Sequence, residues 1–183
     1  MERFFLKPDE SALIIIDIQE RLAAVMAERG PVIDNCLHLI ELSKLLNIPI
    51  LVTEQYPKGL GPTVEELKKN LPYYRPIEKI TFNCCDEKSF LSEIDKLGRK
   101  RLILTGMETH ICVLQTCLGL LERGFYIHVV SDAVCSRKES DKRTGLELMR
   151  DAGAVITCTE TVLFQELRVA GTEEFKVISK RIK

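Results

Sequence analysis

Ser11 to Asp17 reads SALIIID, five successive apolar residues closed by a carboxylate. A strand with one wet face alternates polar and apolar residues, so an unbroken run fits a central strand of a parallel sheet covered on both sides. Such a strand needs parallel neighbours and long crossovers, and the chain offers both. Ile48 to Thr53 (IPILVT), Leu102 to Leu104, Phe125 to Ser131 (FYIHVVS) and Val155 to Cys158 read as further strands. Tyr73 to Cys85 reads as a short extended piece that crosses the top of the sheet.

Helical patterns fill the gaps. Val32, Ile33, Cys36, Leu37, Ile40 and Leu45 recur at helical spacing before Asn47 and Pro49. After the loop EQYPKGLGPT, Thr63 opens a short helix through a capping box with Glu66. Asp86 caps a helix carrying Phe90, Leu91, Ile94 and Leu97, which stops at Gly98. A further helix starts near Cys112, turns Val113, Leu114, Cys117, Leu118 and Leu121 inward, and ends at Gly124. Another carries Leu146, Leu148 and Met149 to a stop at Gly153; its charged approach, SRKESDKR, is expected to be solvated. The last two helices are capped by Thr159 or Thr161 and by Thr172. Strands alternating with helices predict an α/β chain: a three-layer Rossmann-like fold over residues 1–183, one domain, with a mostly parallel six-stranded sheet and helices on both faces.

Composition excludes some partners. The chain has 26 Lys and Arg against 27 Asp and Glu, a formal charge of -1, which gives no electrostatic footing for nucleic acid. No apolar run approaches the length that crosses a bilayer. The start, MERFFLKPDES, lacks the long apolar centre of a secretory signal. Seven cysteines without regular spacing, in a chain with 45% apolar residues for a core, suggest a reducing compartment, and a cytoplasmic protein is expected. Cys84 and Cys85 are adjacent and do not form a C-x-x-C redox motif.

Chemistry concentrates in Arg101 to Thr116, RLILTGMETHICVLQT. Gly106 is read as breaking the strand, and Cys112 falls in the first turn of the helix that follows. Free N–H groups and the positive dipole end stabilise an anion there, which lowers a cysteine's pKa. The same N–H groups can hold the oxyanion formed when a thiolate attacks a carbonyl. A cysteine in such a seam is also a common inert packing residue. Its company favours reactivity. Asp17, Thr53 and the Gly106 to Cys112 turn each follow a strand's carboxyl end, where parallel sheets bind ligands. A carboxylate at Asp17 can take the thiol proton and return it to a leaving amine, and an ammonium at Lys79 can hold both charges. Gln19, Gln55, Tyr56 and Phe82 are expected to line the mouth of such a site. His110 is a further candidate for the substrate side and an alternative partner for Cys112.

The residues resemble the isochorismatase-like cysteine hydrolases, and most closely the isochorismatase domain-containing subgroup. The resemblance runs through SALIIIDIQ, VTEQYPKGLGPT, EKITF, GMETHICVLQT and VVSDAVCSR to the SKRIK end. It implies that Asp17, Lys79 and Cys112 form the catalytic triad. It also implies a cis peptide at Met107-Glu108 and an oxyanion hole from the Glu108 and Cys112 N–H groups. Relatives self-associate, so a homo-oligomer is expected. Two departures narrow the activity. Nicotinamidases of the family bind a metal through an Asp-x-His pair and a further His after the second strand, where this chain reads TEQYP; its histidines are His38, His110 and His128. No metal and no cofactor is therefore expected. Isochorismatases proper do not depend on a cysteine at the turn, and this chain has one. The resemblance implies a cysteine-dependent hydrolase of a small molecule, acting on a C–N (amide) bond through a thioester. The alternative is a catalytically silent relative that binds a partner protein or senses redox state through its thiol.

Overall fold

The computed structural model describes residues 1–183. Six strands, β1 (Ser11–Ile16), β2 (Ile50–Gln55), β3 (Ile77–Lys79), β4 (Arg101–Met107), β5 (Tyr126–Cys135) and β6 (Val155–Thr157), form one sheet in the order β3-β2-β1-β4-β5-β6. Every pairing is parallel. Nine helices accompany it: α1 (Glu20–Ala23), α2 (Arg29–Leu45), α3 (Pro57–Leu60), α4 (Glu65–Lys68), α5 (Lys88–Leu97), α6 (Leu114–Glu122), α7 (Glu139–Asp151), α8 (Thr159–Leu167) and α9 (Glu173–Arg181).

The apolar run of β1 is explained by this layering, because all six of its residues are buried. Leu13 and Ile15 join a core with residues of α2, α8 and α9 on one face. Ala12, Ile14 and Ile16 join a second core with α5, α6 and α7 on the other. Burying each such isoleucine or leucine is worth roughly 1.5–3 kcal/mol, which is why Ala12 to Ile16 carry no polar side chain. The strand order reverses direction between β1 and β4. A crevice opens at the carboxyl ends of strands at such a switch point, and Asp17 and the Glu108 to Cys112 turn stand on its two sides.

Several local expectations are corrected. Tyr73 to Cys85 does not cross the top of the sheet. Its centre is the edge strand β3, paired with β2 so that Lys79 lies opposite Gln55. Gly106 does not break β4, which continues to Met107. Its φ is +134°, and an added Cβ would fall 2.1 Å from the Ile16 carbonyl oxygen, so glycine serves close approach to β1. The EQYPKGLGPT loop contains α3, reached through Tyr56 in the left-handed region. No capping box forms at Thr63: its N–H and Oγ1 both donate to Glu54 Oε1, at 2.6 and 2.7 Å, and Glu66 pairs with Arg29 instead. Asp86 caps nothing: α5 begins after Glu87 with no side-chain cap, and Asn83 caps the separate 3-10 turn Cys84–Asp86 by accepting from the Cys85 N–H.

In α6 it is Leu120 that is buried, whereas Leu118 is exposed; in α7 Met149 is buried and Leu148 exposed. The SRKESDKR run is not simply solvated, since Lys142 is buried against Glu28 at 2.7 Å. Thr172 caps α9 as expected, accepting from the Phe175 N–H at 3.1 Å. At α8 neither Thr159 nor Thr161 caps; Asp132 Oδ1 accepts from both the N–H and the hydroxyl of Thr159. No helix is long and apolar enough to cross a membrane.

Candidate active site

Three strand ends deliver the site. Asp17 follows β1, in the left-handed region at φ +54° and with no exposed surface. Lys79 ends β3, two strands away, and its ammonium reaches Asp17 Oδ2 at 2.7 Å with neither side chain exposed. Beyond β4 the Met107-Glu108 peptide is cis, and a π-helical turn, Thr109–Val113, carries Cys112 at the head of α6. The Cys112 thiol stands close enough to Asp17 and Lys79 to feel both charges. Acid, amine and sulfur, 62 residues apart from Asp17 to Lys79 and further to Cys112, thus meet at one edge.

Each charge in this cluster is held by neighbours, as buried ions require. Thr53 Oγ1 donates to Asp17 Oδ1 at 2.6 Å, so both carboxylate oxygens are occupied and fixed. Parallel register puts Thr53 beside Ile16, one residue before Asp17. The Lys79 ammonium also donates to Gln55 Oε1 at 2.6 Å and to the Thr81 carbonyl at 3.2 Å, with the Phe82 carbonyl at 3.5 Å. Burial, the largest single influence, pushes Lys79 down; the Asp17 carboxylate first, together with Cys84 and Cys112, outweighs it and leaves the ammonium more firmly charged than usual. Cys112 behaves opposite to the sequence expectation. Burial first, then the adjacent Asp17 charge, pushes its thiol well above the ordinary range, and Lys79 only partly offsets this. The resting thiol is neutral and lies beside a carboxylate able to accept its proton.

The remaining predicted residues divide. Gln19 is buried, and its amide is spent on the chain itself: Nε2 donates to the Gln55 and Gly61 carbonyls, and Oε1 accepts from the Gln55 N–H. Gln55 also turns inward, onto Lys79 and the Ile80 carbonyl. Both brace the site from within. Tyr56 is exposed and, with Lys79, Ile80 and Glu87, walls a cavity of about 340 Å³. Phe82 is exposed nearby, and Cys112 keeps 5% of its surface accessible without lining that cavity. His110 faces away, with Nδ1 2.9 Å from Ser136 Oγ and Nε2 3.8 Å from Asp141, so it is not paired with Cys112. No group of three or more His, Cys, Asp or Glu is placed to hold a metal ion.

Two neighbours were read from the sequence only as a packing cysteine and as part of a solvated run. Cys84 is fully buried beside Lys79 and Asp17, with its thiol pushed up to about 12 mainly by burial. All seven cysteines are free. Arg137 grips the Glu108 carboxylate, and the only sequence signal for it was its place just beyond a strand's carboxyl end.

Residues 11–161 match the isochorismatase domain. The chain belongs to the isochorismatase family. It is 41% identical to the secreted isochorismatase effector Isc1 of Phytophthora sojae, over 97% of this chain and 87% of that protein. Isochorismatase domain-containing protein 2A of Mus musculus is 38% identical, over 96% and 84%. Among solved structures, the MAR1 ribonuclease of Caenorhabditis elegans superposes with a TM-score of 0.90 at 38% identity, covering 97% of this chain and 92% of that one. The Escherichia coli YcaC gene product, described as an octameric hydrolase of unknown specificity, superposes at 0.91 with 27% identity, covering 97% and 90%.

Proposed function

We propose that this family member is a cysteine-dependent hydrolase that opens an amide C–N bond of a small molecule through a thioester on Cys112. Membership of the isochorismatase family supports hydrolysis. The observation that carries the finer reading is a neutral, buried Cys112 thiol set beside a carboxylate that is itself locked by Lys79 and Thr53. A thiol pushed upward is a poor nucleophile until its proton leaves, so Asp17 takes that proton as Cys112 Sγ bonds to the carbonyl carbon. The carbonyl electron pair moves to oxygen, and the N–H groups of Glu108 and Cys112 hold it. Collapse breaks the C–N bond, and Asp17 returns the proton to the departing amine. Water, deprotonated by Asp17, then attacks the thioester and releases the acid, and the proton returns to Cys112. Lys79 holds and orients that carboxylate. Tyr56 and Phe82 stand at the mouth, where a substrate enters.

The nuclease activity in the name of the Caenorhabditis elegans protein is not carried over, because a net charge of -1 offers no phosphate-binding excess. Self-association is proposed on the precedent of the octameric relative, and sedimentation of the purified chain checks it. Seven free cysteines fit a reducing compartment; the secreted relative shows that the fold alone does not dictate one.

A panel of small amides, with Cys112→Ala as the blank, tests the chemistry. Turnover by the wild type, lost in Cys112→Ala together with an acyl adduct on the Cys112 peptide, is the expected result. Turnover that survives the substitution excludes Cys112 as nucleophile.

A further inference from the structure

Glu108 is the residue whose N–H the oxyanion pocket needs, and nothing in the chain competes for that donor. The residue is buried, its carbonyl accepts from the Ile111 and Val113 N–H groups at 3.1 and 3.3 Å, and its own N–H donates to no protein group. The side chain is committed elsewhere. Glu108 Oε2 accepts from the Arg137 main-chain N–H at 3.0 Å, and the Arg137 Nε–H lies 3.2 Å from Oε1 and 3.1 Å from Oε2. Arg137 follows β5, whose Cys135 pairs with Met107, so the clamp ties the ends of two adjacent strands across the residue that leads into the Cys112 turn.

The clamp is poorly suited to holding the fold together. The Glu108 carboxylate is 6% exposed but the arginine side chain is 60% exposed, and ion pairs open to water on one side contribute little to stability. Its geometric effect is larger. Three donor contacts from one residue restrict rotation of the Glu108 side chain, and with its side chain and its own carbonyl both anchored the Glu108 Cα is held from two sides, which limits how the preceding Met107-Glu108 peptide, the one that carries the Glu108 N–H, can turn. A donor aimed in advance at developing charge is worth far more than one that must reorganise.

We propose that Arg137 is a positioning residue for the hydrolysis: by clamping Glu108 to the end of β5 it aims the Glu108 N–H at the oxyanion formed over Cys112. The inference rests on the reading of Cys112 as an acylated nucleophile, and one pair of probes separates the two. p-Nitrophenyl acetate acylates a cysteine through a tetrahedral oxyanion: an S–C bond forms, the ester C–O bond breaks, and p-nitrophenolate leaves while the thiol proton passes to Asp17. Iodoacetamide alkylates the same sulfur by displacing iodide at a saturated carbon, and no oxyanion forms. Both rates are read at Cys112 by peptide mass spectrometry on the full chain.

Arg137→Ala is expected to slow acylation roughly tenfold, less than deleting an oxyanion donor outright, and to change alkylation by less than about twofold. Arg137→Lys, which keeps the main-chain N–H and a cation, recovers part of the acylation rate. Glu108→Gln, which keeps an acceptor for the main-chain N–H but loses the ion pair, gives the same split more weakly and serves if Arg137→Ala folds poorly. Unchanged acylation, or an equal fall in both reactions, overturns the positioning role. Wild-type protein that is alkylated at Cys112 but never acylated there overturns the nucleophile reading itself.

Discussion

Glu166 on α8 is the most costly unexplained charge in the molecule. It is 1% exposed, and neither carboxylate oxygen has a partner within hydrogen-bond distance. Burial pushes its pKa from the ordinary 4.5 up to about 7; Ser11, Arg168 and Arg101 pull the other way, and Asp9 adds slightly to the rise. The neutral acid is therefore the form the fold prefers. Between those two values the folded chain binds a proton that the unfolded chain has released, so stability falls as pH rises through this window. Above about pH 7 the full cost of a buried ionised carboxylate applies. At about 1.4 kcal/mol per pH unit, the gap from 4.5 to about 7 amounts to roughly 3 kcal/mol. Glu166→Gln keeps the shape and cannot ionise. Its expected effect is a gain of roughly 3 kcal/mol at about pH 8 and under about 1 kcal/mol at about pH 5. In a chain of this size that is a rise in melting temperature of roughly 6–12 °C at the higher pH. Thermal or urea unfolding at the two pH values measures it. An equal gain at both, or none at the higher, refutes burial as the cause of the shift.

Other perturbations address the site and its frame. Asp17→Asn removes the proton acceptor and also the charge that pushes the Cys112 thiol up, so hydrolysis should fall at least about a hundredfold while alkylation of Cys112 becomes faster; slower alkylation would falsify the assigned direction. Thr53→Val removes the 2.6 Å bond to Asp17 Oδ1 and leaves a buried carboxylate short of a partner, a loss of about 1.5–3 kcal/mol readable in urea unfolding. Gly106→Ala places a methyl 2.1 Å from the Ile16 carbonyl oxygen, in a backbone conformation that alanine avoids. It should destabilise the chain by about 3 kcal/mol or more by prising β4 from β1, and a variant with the wild-type melting temperature contradicts the close approach.

The fold was legible where one residue pattern admits one environment. An unbroken SALIII run is compatible with a strand covered on both faces and with little else, and the parallel order then places Asp17 and Cys112 at the same edge. Lys79 was not legible that way: IEK is too short for a period of two to show, so the chemistry of an ammonium beside two anions and the family resemblance proposed it, not a recognised strand end. Gly106 failed for a different reason, since glycine marks a chain break and a close approach with the same letter, and only the position of Ile16 on the neighbouring strand decides between them. Thr63 had the spacing of a capping box, but a buried carboxylate nine residues earlier is a stronger claimant for its hydroxyl than a helix of four residues.

The thiol's pKa carries the most functional weight of these differences. A helix N-terminus can be read from a sequence, and it favours a thiolate. Desolvation and a neighbouring carboxylate depend on which distant residues converge, and here they outweigh the helix end and keep the sulfur protonated. A stored thiolate needs no base. A neutral thiol does, which makes the hold of Lys79 and Thr53 on Asp17 a requirement of the chemistry, because a carboxylate free to rotate away would strand the proton on sulfur. The same reasoning gives the buried ion pair a purpose that stability does not. Two charges taken out of water are seldom a net gain over apolar packing, and the proposed chemistry gives this pair its reason to stand at the one edge where it needs an oriented acceptor.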